Sequence, residues 1–190
     1  AFIRRAPAKQ QDDWRRLGIT PRGIDREVVE VMHRTNMGVD ADHRSLVLTG
    51  MRSALADGWG GSMIATDLQD VLFGTPKPIR AEMNLGVLRT DQVNILVHGH
   101  EPALAEAIVD AAADPGLLAE AAELGAAGIN VAGICCTANE VLMRRGVPIA
   151  GNFLQQELAI VSGAVEALLV DVQCIMPGIT QAASCFHTEV

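Results

Sequence analysis

Tyrosine is absent, and aromatic residues make up only 3% of the sequence. A core made from this chain must therefore be packed with Ala, Val, Ile, Leu and Met. The hydrophobic share of 49% over 190 residues is enough to build one. Cations are scarce as well: 15 Lys and Arg face 23 Asp and Glu, a net charge of −8. A phosphate backbone is gripped by clustered Lys and Arg, so this balance excludes nucleic acid as a partner. The basic residues near the start (Arg4, Arg5, Lys9, Arg15 and Arg16) read as a solvated surface or a dock for another protein segment. No apolar run approaches the ~18 residues of a membrane span. The opening "AFIRRAPAKQQDDWRR" turns polar too soon for a signal peptide. The expectation is a cytoplasmic chain, and one that begins with Ala1 rather than Met reads as an internal piece of something longer. Cysteine is limited to Cys135, Cys136, Cys174 and Cys185. In a reducing compartment these are thiols or metal ligands rather than disulfides. Neither GxGxxG nor GxxxxGK[ST] occurs, so the usual phosphate-cradling loops are missing.

What is present falls into two stretches. Residues 1 to about 90 read as helical and loop-rich. "GIDREVVEVMHRTNMG" predicts a helix with Asp25 as N-cap and Gly38 as its stop. "DADHRSLVLTGMRSALADGWGG" predicts a second, ending at Asp57-Gly58, and "ATDLQDVLFG" a third, capped by Thr66 or Asp67 and closed by Gly74. Pro76 and Pro78 in "TPKPIR" then break regular structure, which places the border between a helical segment, 1–80, and an α/β domain, 81–190.

In the second stretch strands and helices alternate. Strands are expected over 92–97, 128–132 and 167–172, with "GVPIA" as a further short candidate. Helices are expected over 102–124 with an interruption at Pro115, and over 137–145, 153–163 and 178–185. Continuous apolar strands separated by helices predict a parallel sheet covered on both faces.

Ligands of such sheets bind just beyond the carboxyl ends of the strands. There the sequence puts His98 and His100 after the first strand, Cys135 and Cys136 after the second, and Cys174 after the third. Nitrogen and sulfur donors brought to one edge suit iron–sulfur or zinc chemistry. Gly99 and Gly133 would let the backbone pass close to a bulky group. Each donor has a plainer reading: a hydrogen-bonded loop histidine, or a thiol buried as a small hydrophobe. On a strand end neighbouring side chains point opposite ways, so one of Cys135 and Cys136 would face away. "HGH" resembles a zinc HxH pair, but its only carboxylate companions are Glu101 and Glu140. Cys185 is read as structural, and His33, His43 and His187 as surface or helix-packing residues.

"VHGHEPALAE", "GICCTANEVLMRRGVP", "NFLQQELAI" and "GAVEALLVDVQCIMPG" closely resemble the nickel-iron carbon monoxide dehydrogenases, the anaerobic catalytic subunit. "RRAPAKQQDDWRRLGITPRGIDREVVEVMHRTNMGVDAD" and "GWGGSMIATDLQDVLFGTPKPIR" look like the helical segment before that family's Rossmann-like middle domain. The likeness covers essentially the whole chain, and is shared more distantly with hybrid-cluster proteins, which have a comparable Gly-His after the first strand. It implies a Ni-4Fe-4S centre, cluster C, that interconverts CO plus water with CO2, two electrons and two protons. Matched residue by residue, it implies His100 and Cys136 on the iron outside the cubane and Cys174 on a cubane iron. It also implies a homodimer and a ferredoxin-like electron carrier. The family's N-terminal cysteine clusters, its later cluster C cysteines and a downstream lysine have no counterpart here. Further 4Fe-4S clusters are therefore expected only outside this chain, and the chain alone is expected to be inactive. The rival expectations are a hybrid-cluster-type hydroxylamine reductase segment and a metal-free Rossmann-like interaction module.

Overall fold

The structure, a computed structural model, describes residues 2–190, side chains from residue 3 onward. It forms two compact units, residues 1–72 and 73–190. The first is helical: α1 (Phe2–Arg5), α2 (Ala8–Arg16), α3 (Ile24–Arg34), α4 (His43–Asp57) and α5 (Ala65–Phe73). Helix α3 begins at Ile24 with Gly23 as its N-cap, so Asp25 lies in its first turn and is not the cap. Asp42 does cap α4, accepting from the backbone N–H of Arg44 and Ser45. The expected break between α4 and α5 is instead one wide π turn, Gly58–Ile64, so Thr66 and Asp67 cap nothing. No proline interrupts the path, and glycines at 58, 60 and 61 leave room for the widened turn. The basic residues of α2 are paired within their own helix: Lys9 with Asp13 at 2.8 Å, Arg15 with Asp12 at 2.8 Å and Arg16 with Asp13 at 3.0 Å.

This unit buries one carboxylate. Glu27 is 1% exposed and accepts from the Arg22 backbone N–H (2.9 Å), Arg22 Nε (3.0 Å) and Nη2 (3.0 Å), and Arg52 Nε (2.6 Å). The Arg22 guanidinium above all, with Arg52 beside it, overcomes the penalty of burial and holds the carboxyl at about 2, against 4.5 for the free group. A carboxyl whose pKa is lowered by folding contributes stability above its unfolded value and loses it as pH falls towards its folded value. The expected result is a loss of about 3 kcal/mol between pH 5 and pH 2. It should appear in urea unfolding of the wild type and be missing from the pH slope of Glu27→Gln, which is already destabilised at pH 7.

The second unit carries β1 (Val93–Gly99), α6 (Pro102–Ala112), α7 (Pro115–Glu123), β2 (Ile129–Ile134), α8 (Cys135–Arg145), β3 (Ile149–Gly151), α9 (Gln156–Val161), β4 (Ala167–Val170) and α10 (Ile179–Ala183). All strand pairs are parallel, in the order β3-β2-β1-β4. The short "GVPIA" segment thus supplies the edge strand. Pro115 splits the expected long helix, with Asp114 capping the second part. The breaker segment is tied to α8: Lys77 N–H donates to Met143 O (3.0 Å) and Arg144 Nε to Gly74 O (2.7 Å).

Both faces of the sheet are covered. On one, Leu96, Ala132, Ile134 and Leu168 pack with Ala159 and Ile160 of α9 and Ile179 and Ala183 of α10. On the other, Val97 and Val131 pack with Ala105 and Ile108 of α6 and Val141 of α8. The alternation of Leu96 and Val97 between faces is the two-residue period of a strand. Asn94, a polar residue inside β1, is 1% exposed and fully used. Its Nδ2 donates to Arg89 O and Ala164 O, both at 2.7 Å, and its Oδ1 accepts from Arg89 N–H and Asn130 Nδ2, both at 2.8 Å.

Candidate metal centre

The strand order reverses between β1 and β4, since β2 and β3 lie to one side of β1 and β4 to the other. Such a switch point opens a crevice at the carboxyl ends of the two strands, because their connections leave over opposite faces. His100 follows β1 by one residue, and Cys174 follows β4 by four. The structure brings them together: Cys174 Sγ lies 4.0 Å from His100 Nε2. His100 is half-buried, and its Nδ1 has no hydrogen-bond partner.

Cys135 directly follows β2 and makes a parallel bridge with Gly99. Helix α8 begins at Cys135, two residues before the start expected from sequence, so both thiols sit in its first turn. Cys135 packs against the apolar cluster on the α9 face, whereas Cys136 is exposed. Burial, with Cys174 and Cys136 as neighbouring negative groups, pushes the Cys135 thiol up to about 11. Burial and Cys174, then Glu140, raise Cys136 as well. Each of these two thiols feels the negative charge of Cys174, so the three lie within electrostatic reach of one another.

Three non-glycine residues among those described have positive φ: Cys135 (64°), Gln173 (64°) and Cys174 (55°). All lie at this edge. Each such residue costs about 1–2 kcal/mol and persists only where its surroundings hold it.

Asp171, just past β4, does much of that holding, and sequence reasoning missed it. Its carboxylate accepts from the backbone N–H of His100 (2.7 Å) and Glu101 (3.0 Å), from Thr137 Oγ1 (3.2 Å), and from the Val172 N–H. One side chain thus ties the loop after β1, the first turn of α8 and the turn after β4. Gly99, with φ of 133°, makes room for it, since an added Cβ would overlap the Asp171 carboxylate. Gly133 is needed for a similar reason, as a Cβ there would lie 2.6 Å from Ala138 Cα. Both glycines therefore admit other parts of the protein, where the sequence suggested room for a bulky bound group.

The remaining candidates are placed elsewhere. His98 is 1% exposed within β1, beside Ile134 and Val170, and neither ring nitrogen has a hydrogen-bond partner. Glu101 caps α6, accepting from Ala103 and Leu104 N–H, and Glu140 is paired with Arg144. Cys185 is exposed just beyond α10, and His187 stands 3.6 Å from Glu166. Among the described residues no group of three or more His, Cys, Asp and Glu side chains is gathered tightly enough for a single metal ion. That weighs against a mononuclear zinc site. A polynuclear cluster differs, because each of its metal atoms takes its own protein ligand and the donors stand apart. The imidazole with an unpartnered nitrogen, the exposed Cys174 thiol beside it and the strained backbone under that thiol fit such a group.

Residues 1–190 match the family model described as the Prismane/CO dehydrogenase family. The chain is 64% identical over 188 residues to carbon monoxide dehydrogenase 1 of Methanosarcina mazei, covering 99% of its own length and 30% of that relative's. To carbon monoxide dehydrogenase 1 of Carboxydothermus hydrogenoformans it is 53% identical over 184 residues, covering 96% and 28%. Among solved structures it is similar to an as-isolated, Ni-free carbon monoxide dehydrogenase from Thermococcus sp. AM4, with a TM-score of 0.90 and 59% identity over 98% of this chain and 30% of that one. A structure of acetyl-CoA synthase/carbon monoxide dehydrogenase with NiZn[Fe4S4] and NiNi[Fe4S4] clusters in its alpha subunits matches with a TM-score of 0.87 and 47% identity, over 98% and 28%. The chain thus spans about 30% of the length of the relatives it matches.

Proposed function

The chain belongs to the Prismane/CO dehydrogenase family, and from that premise we propose that it is part of an anaerobic carbon monoxide dehydrogenase holding one side of a Ni-4Fe-4S cluster. The reaction is the interconversion of CO and water with CO2, two electrons and two protons. His100, Cys136 and Cys174 are the ligands this chain contributes. The observation that carries the reading is the meeting of His100 and Cys174, 4.0 Å apart, at the reversal point of the sheet. Burial supports the choice within each pair: His98 and Cys135 are directed into apolar packing, and His100 and Cys136 are not.

The bound cluster supplies the redox and Lewis-acid chemistry of the reaction. The residues of this chain bind and orient. His100 offers a neutral nitrogen, and Cys136 and Cys174 offer sulfur that becomes thiolate on a metal. Asp171 fixes the backbone beneath His100 and anchors Thr137 next to Cys136. Ile134, Val170, Cys135 and Ile175 pack into an apolar floor that keeps water from one side of the donors. His98, buried with two unpartnered nitrogens, is a hydrogen-bond donor held in reserve near that floor. No side chain acts as nucleophile. The electrons leave to a ferredoxin-like carrier, and the whole protein works as a cytoplasmic homodimer. Among the described residues no helix is long and apolar enough to cross a membrane.

The test is made on the full-length protein carrying this chain, purified without oxygen. CO-dependent reduction of a viologen dye, with nickel and iron both present, is the expected result. Hydroxylamine reduction with iron and no nickel would assign it to the hybrid-cluster type. Absence of both metals, with function indifferent to alanine at 100, 136 and 174, would make it an interaction module.

A further inference from the structure

Gln156 exposes none of its surface and is the first residue of α9. Its Nε2 donates to Phe153 O at 2.9 Å and to Cys174 O at 2.8 Å, and its Oε1 accepts from the Met176 N–H at 3.0 Å. The last two bonds hold the chain directly after Gln173 and Cys174, which are both left-handed. That conformation relaxes unless its neighbours prevent it. A neutral amide both donates and accepts, so one side chain can fasten the Cys174 carbonyl and the Met176 N–H, and with them the exit of the strained pair. Beyond Cys174, Ile175 packs on the apolar cluster and fixes the exit of the chain. The Cys174 thiol, by contrast, is exposed, and nothing but the backbone aims it at His100.

We infer that Gln156 is a positioning residue for Cys174, the buried amide that holds the strained turn so that this sulfur faces the metal site. The inference rests on the proposed role of Cys174 and adds a residue that touches neither metal nor substrate. Replacing Gln156 by methionine keeps its bulk and removes all three bonds. Replacing it by glutamate keeps the bond to Met176 and removes the donor to Cys174 O.

The experiment uses the full-length protein, loaded and then stripped of metal. The rate of iron loss to a chelator is measured in the loaded form. In the stripped form, fragment-ion mass spectrometry follows alkylation of Cys174 by iodoacetamide relative to Cys185, which is exposed and lies beyond α10. The expected result is 10–100-fold faster iron loss in Gln156→Met, the range typical of residues that support metal ligands. A smaller acceleration is expected in Gln156→Glu, with a raised Cys174 to Cys185 ratio in both. Wild-type iron loss and an unchanged ratio in the folded variants would overturn the inference, even if the melting temperature falls. If Gln156→Met does not fold, Gln156→Glu decides on the same two readouts. Cys174→Ala separates the two claims. If it loses iron and the Gln156 variants do not, the positioning role alone fails. If it keeps all its iron, the ligand assignment fails and the inference falls with it.

Discussion

Replacing Asp171 by alanine is expected to cost about 3 kcal/mol of stability and most of the retained metal. Four donors lose their acceptor together: the His100, Glu101 and Val172 N–H groups and the hydroxyl of Thr137. Thr137 is fully buried, so no water replaces the lost bond there. The Glu101 and Val172 N–H groups are exposed and readily hydrated, which keeps the sum below that of four buried bonds. The effect on metal follows from geometry, because these bonds fix the residues beside two proposed ligands. A 10–100-fold weakening of metal retention is expected. Asp171→Asn keeps one acceptor oxygen in place and should fall between wild type and alanine. Urea unfolding and metal analysis of the three proteins check both parts. Wild-type metal content in Asp171→Ala would show that the tie is structural only.

Alanine at 136 or at 174 is expected to abolish CO oxidation, a loss of more than about 100-fold, and to lower iron per protomer. The other two cysteines make the comparison informative. Cys135→Ala removes a sulfur from apolar packing and should cost about 1 kcal/mol of stability while leaving metal in place. Cys185→Ala touches an exposed residue beyond α10 and should change neither quantity. Four substitutions of one residue type thus separate ligation from packing. The reverse pattern, metal lost from Cys135→Ala and kept in Cys136→Ala, would move the ligand by one residue.

The sheet was legible because its central strands are short, continuous apolar runs bounded by glycine or polar residues, and because helical spacing returns between them. The family resemblance was legible in the motifs at the strand ends. Local chemistry was harder to read. Helix α8 takes in both cysteines because Cys135 adopts a left-handed conformation directly at the end of β2, a turn that sequence pattern alone assigns to glycine. The π turn at Gly58–Ile64 was hidden for the opposite reason: its glycines look like a stop, yet the helix passes through them. Asp171 and Gln156 were invisible as site residues because their partners are distant in sequence, 71 residues away for His100 and 18 for Cys174. Only the crossover topology brings them into contact. The faint signals were a single carboxylate at the end of "ALLVD" and a glutamine opening the short helix "QELAIV".

The most direct measurement is anomalous diffraction from crystals of the full-length protein, recorded at the iron and nickel absorption edges. If the chain grips a Ni-4Fe-4S cluster at the reversal point of its sheet, iron will be found bonded to a ring nitrogen of His100 and to the sulfurs of Cys136 and Cys174, with nickel in the same cluster. Metal peaks located away from these side chains, with the crevice between β1 and β4 holding none, would contradict it.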